Sequence, residues 1–101
     1  MAFDMYAAGL RESIDEQDAT LFALAAEAPG DFPQLNALWA RFYGDVKLDP
    51  DQAGALVHEL LMLHARFGAQ AGHRFAALVL RLAQFFSAAH RAGAVVRCSG
   101  D

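Results

Sequence analysis

The chain has 101 residues, of which 55 % are apolar and 20 % charged, with a formal net charge of −4. That length gives one domain, residues 1–101, and that composition is globular and not that of a disordered chain. The single cysteine, Cys98, excludes an internal disulfide and any multi-cysteine zinc motif, and it fits a reducing compartment.

Charge is unevenly placed. Residues 1–59 carry eleven acids and three bases, whereas residues 60–101 carry one acid and five bases. The bases are dispersed and include one lysine, so no nucleic-acid partner is expected. Arg74, Arg81 and Arg91 interrupt the apolar stretches well short of the roughly 20 residues of a spanning helix, so no membrane partner is expected. The first residues lack the basic and apolar regions of a signal peptide, which predicts a cytoplasmic chain.

In chain order, Phe3-Asp4-Met5-Tyr6 alternates apolar and polar and suits a short strand. Ser13 and Glu16 have capping-box spacing, and the first helix is predicted from there to Ala28, with Ile14, Leu21, Leu24, Ala25 and Ala28 inward. Asp31 reads as the cap of a second helix, with Pro33 in its first turn and Phe32, Leu35, Trp39 and Phe42 inward. Leu38 and Tyr43 edge that stripe, and Gly44 suits its end. Asp45 to Leu48 reads as an extended link.

Asp49-Pro50 is a strong helix start, and Leu56, Leu60, Leu63 and Phe67 give the third helix its apolar stripe. Gly68 and Gly72 bracket the next turn. The fourth helix, about Ala71 to Ala92, places Phe75, Leu78, Val79, Leu82, Phe85, Phe86 and Ala89 within an arc of about 120°. Ala94 to Cys98 is β-prone and a candidate partner for Phe3 to Tyr6. The fold class predicted is all-α: a compact bundle of about four helices, open to a short two-stranded pairing of the termini.

Chemistry-bearing residues are few. His58, His64, His73 and His90 have no pair at i, i+3 or i, i+4, the spacing a helical metal pair needs, and the chain has no H-E-x-x-H. His64 lies inside the third helix's apolar arc, where a partly buried structural histidine is the expected role. Asp45, Asp49 and Asp51 lack the glycine and closing glutamate of a calcium loop. Ser13, Ser87 and Ser99 sit in no nucleophile elbow, and no phosphate-cradling glycine motif exists. No enzyme, catalytic residue, metal or cofactor is therefore expected. Trp39, Phe42 and Tyr43 read as an aromatic core cluster. Asp18 projects off the first helix's apolar stripe, which predicts a wet helix edge or, failing that, a residue facing a partner.

Phe32-Pro33-Gln34-Leu35, Trp39, Tyr43-Gly44-Asp45-Val46, Leu48-Asp49-Pro50-Asp51, Leu56 and Glu59-Leu60 together resemble a group of small, acidic, helical bacterial proteins. Many of these look like immunity proteins or stand-alone partners of secreted toxins. Phe3-Asp4-Met5-Tyr6 and the short apolar run before Asp101 are similar to that group too. The resemblance implies a stoichiometric binder that occludes a toxin or another protein. An acidic face suits such a partner, and Asp15, Glu16, Asp18, Asp45, Asp49 and Asp51 are the expected contacts. The competing expectation is a homo-oligomeric structural or regulatory helical protein, such as a homodimer closed through Leu61, Met62 and Leu80. A metal- or small-molecule-binding bundle built on His64 is the third.

Overall fold

A computed structural model describes residues 2–42 and 44–100; Tyr43 lies outside the described residues. In chain order the elements are a hairpin of β1 (Ala2–Ala7) and β2 (Leu10–Asp15), a single 3-10 turn (Glu16–Asp18), α1 (Ala19–Ala26), α2 (Pro33–Ala40), β3 (Asp45–Leu48), α3 (Pro50–Ala92) and β4 (Val96–Gly100). The strands form one antiparallel sheet in the order β2-β1-β4-β3. The all-α bundle predicted from the sequence is thus overturned in favour of a mixed helix–sheet fold.

The physical reason lies at both ends of the sheet. Phe3, Met5 and Ala7 alternate inward along β1 and are buried. The chain then reverses at Ala8-Gly9, where both residues take positive φ (53° and 77°). That geometry matches the right-handed twist of a two-residue hairpin. Ser13 and Ile14, read as the start of a helix, instead belong to β2, with Ile14 paired to Phe3 and buried. The capping box falls two residues later: Asp15 accepts from Gln17 N–H (2.8 Å), and Asp18 accepts from Asp15 N–H (3.3 Å). The segment read as a link, Asp45–Leu48, becomes an edge strand because β4 returns beside it, pairing Val46 with Cys98 and Leu48 with Val96. The expected pairing of the termini is present, β1 against β4 from Phe3–Gly100 to Tyr6–Arg97, but it is part of a four-stranded sheet in which β4 fills the gap between β1 and β3.

The helices cover the face that carries Phe3, Met5, Ile14, Val96 and Cys98, and all of these are buried in one core. Phe3 stacks on Phe42 (5.2 Å between ring centres) and Phe22 on Trp39 (4.7 Å), which ties α1 and α2 to the sheet. The α2 stripe is Phe32, Leu35, Leu38 and Phe42, with Trp39 at its exposed edge.

Asp49 caps α3 through a box with Gln52, with Pro50 in its first turn. α3 is not straight. Gly72 (φ 86°, ψ −177°) holds a conformation that only glycine adopts without strain and breaks the element into arms of residues 50–71 and 73–92. The arms fold back on each other, and His90 Nδ1 lies 2.8 Å from the Pro50 carbonyl. At that crossing Gly54 makes room for the ring, because a Cβ there would sit 2.8 Å from the same imidazole and displace it. His64 stacks on Phe75 beside the break. The seven apolar residues predicted to line the fourth helix are all buried, and Gly93 (φ 64°) closes the element. Among the described residues no helix is long and apolar enough to cross a membrane.

Candidate interaction surface

The two buried carboxylates hold the helical layer together. Glu59, 5 % exposed, accepts the N–H groups of Gln34 and Leu35, each at 3.0 Å. α2 has no side-chain cap of its own, so the orphan donors of its first turn are met from α3. Asp31, expected as that cap, instead pairs with Arg66 at 3.1 Å. Asp18, expected at a wet helix edge or facing a partner, is buried and paired with Arg74 at 3.2 Å. The reason is the 3-10 turn, which tucks Asp18 beneath the second arm of α3. Among the described residues, no buried side-chain nitrogen or oxygen lacks a partner, and no three of His, Cys, Asp and Glu come together as a metal site.

The six acids marked from the sequence are not gathered on one face. Asp15 and Asp18 share Arg74, and Asp49 caps α3. Glu16 follows one edge strand, and Asp45 begins the opposite one. Three interstrand spacings, about 14 Å, separate those edges. Asp51 lies in the first turn of α3. Cys98 points into the core, and burial pushes its thiol up to about 12, so it is a poor nucleophile.

The uncovered face of the sheet is different. Strand pairing aligns Lys47 with Arg97, Arg97 with Tyr6, and Tyr6 with Arg11, so three cations and one tyrosine form a single row across all four strands. All four are exposed. The next row toward the other end of the strands is Asp45, Ser99, Asp4 and Ser13. Arg11 reaches across to Asp4 (3.2 Å), and its guanidinium lies 5.9 Å from the centre of the Tyr6 ring. The hydrogen bond to Asp4, with the Tyr6 and Asp4 charges, raises the arginine above its ordinary value. Lys47 and Arg97 are direct cross-strand neighbours of like charge, and among the described residues neither has an acid within ion-pair distance. Like charges directly opposite destabilise a sheet. Tyr6 and Val95, 46 % and 47 % exposed, add apolar area to a shallow, open surface shared with Arg11, Arg97 and the Ala8-Gly9 turn.

No local motif marks this row in the sequence. Its members lie at positions 6, 11, 47 and 97, and only the strand register brings them together.

Compared with known proteins, the chain matches no family model, no curated protein and no solved structure.

Proposed function

We propose that this chain is a non-catalytic, cytoplasmic protein-binding domain that docks its partner on the uncovered face of the sheet. The observation that carries this is the row Lys47, Arg97, Tyr6 and Arg11, with Val95 beside it. Tyrosine and arginine are among the residues enriched at the hot spots of protein interfaces, because each combines contact area with a directional polar group. A sheet braced by helices on its other face is also a rigid platform, which lowers the ordering cost of association. An immunity-type inhibitor of a bacterial toxin is one form such a binder takes. Asp18 is buried against Arg74 and the other five acids are spread over both edges of the sheet and the start of α3, so the basic row is the better-gathered contact.

The test is affinity capture from the native host with three baits: the native chain, Tyr6→Ser/Arg97→Ser, and Leu61→Ser/Leu80→Ser. A near-stoichiometric prey lost only with the sheet-face pair is the expected result. Loss only with the leucine pair would reject the docking face.

One observation favours a second reading. Leu61 and Leu80 are 55 % and 60 % exposed on the two arms of α3. The contacts Gly54–His90 and His64–Phe75 fix the register of the arms and set these leucines at the same level. Self-association through these leucines is the alternative, and a concentration-independent monomer mass in sedimentation would remove it.

A further inference from the structure

Resting on the proposed docking face, we propose that its occupant is an acidic peptide segment of a partner protein, laid across the strands along the row Lys47, Arg97, Tyr6 and Arg11. Three arguments fix the chemistry. Lys47 and Arg97 are paired directly across β3 and β4, so a carboxylate placed between them meets both cations and relieves their mutual repulsion. Arginine adds a planar, two-pronged donor suited to a carboxylate. The row spans three interstrand spacings, about 14 Å, which an extended chain covers in four or five residues.

The neighbouring row selects among anions. Asp4 and Asp45 lie two residues along their strands from Tyr6 and Lys47, about 7 Å away. A continuous phosphate backbone would meet that acidic row as well as the basic one, and the chain's net charge of −4 adds to the repulsion. A peptide can place its acids on one row and keep neutral or basic residues over the other. A second copy of the chain is the less fitting occupant. The flat part of the face covers roughly 300–400 Å² by strand spacing and rise, about half of what a stable interface buries on each partner.

The experiment is an amide-resolved NMR titration of the whole ¹⁵N-labelled chain. The probes are a short capped peptide alternating glutamate and serine, its glutamine–serine counterpart, and an oligothymidylate of matching length. The expected result is saturable shifts at Lys47, Arg97, Tyr6 and Arg11 with the glutamate peptide only, suppressed by high salt. Lys47→Glu/Arg97→Glu should weaken that binding about tenfold or more. Lys47→Gln/Arg97→Gln, with a preserved spectrum, provides a milder variant whose fold is not in question. Equal binding of the glutamine peptide, tighter binding of the oligothymidylate at the same residues, or the same shifts on raising protein concentration alone would each overturn the proposal. If the partner is captured through the sheet face yet reversing Lys47 and Arg97 leaves its affinity unchanged, the docking face stands and the acidic chemistry falls.

Discussion

Removing the Glu59 carboxylate should unfasten α2 from the rest of the fold. Glu59 is buried and accepts two backbone N–H groups, from Gln34 and Leu35, that have no other acceptor in their own helix. A hydrogen bond to a charged acceptor contributes about 1.5–3 kcal/mol, and a donor left unmet in the interior costs about 1–3 kcal/mol. Leu35 N–H lies in the interior, whereas Gln34 N–H is partly open to water, so the second loss is discounted. Glu59→Ala should therefore cost about 3 kcal/mol, a large part of the roughly 5–15 kcal/mol that holds a small domain folded. At about 4–8 °C per kcal/mol, Tm should fall by about 15 °C. Glu59→Gln keeps one carbonyl acceptor but turns an amide N–H toward the second donor, and it should cost about half as much. Chemical denaturation followed by circular dichroism measures both, and hydrogen exchange at Gln34 and Leu35 should quicken before the rest of the chain. A cost below about 1 kcal/mol for Glu59→Ala, or equal costs for the two variants, would refute this role.

Other residues give sharper local tests. Gly54→Ala should gain about 0.5–1 kcal/mol of helix propensity but drive the His90 ring off the Pro50 carbonyl, so the substitution should stabilise in a His90→Ala background and not in the native one; a thermal-denaturation cycle without coupling would contradict the contact. Gly72→Ala should lose about 1–3 kcal/mol, because φ 86° with ψ −177° strains any side chain, and an unchanged Tm would argue against the break in α3. Ala8→Asn should stabilise the hairpin by about 1 kcal/mol, since Asn-Gly suits positive φ at both turn positions. Burial raises the Cys98 thiol from about 9 to about 12. The stability contributed by the neutral thiol is complete below pH 9 and is lost as pH rises toward 12, so Cys98→Ala should flatten the alkaline fall. Native protein at pH 8 should also react with a disulfide reagent far more slowly than unfolded chain, with about a thousandfold fewer thiolates.

Much of the helical layer was legible in the sequence because its signals are local. Asp49-Pro50 is a cap and a first-turn proline side by side, and the stripe from Phe75 to Ala89 repeats within one helix. Glu59 carried a readable signal too, since it lies three residues after Leu56 and four before Leu63, on the buried arc. Of the sheet only the pairing of the termini was legible, from the alternation of Phe3 to Tyr6 and the β-prone run before Ser99. The rest was not: the Ser13–Glu16 spacing masked β2, and β3 has four residues whose outward side chains, Asp45 and Lys47, resemble those of any loop. The basic row follows from that register, so it was hidden for the same reason. Regional charge pointed instead to the acids of the first half, several of which cap helices or pair with Arg74.

The docking face is tested most directly by photo-crosslinking in the native host, with a benzophenone side chain at Tyr6 in one strain and at Leu61 in another. The account predicts a discrete heterologous adduct from position 6 and none from position 61. An adduct from position 61 alone would move the interface to the helical side and contradict it.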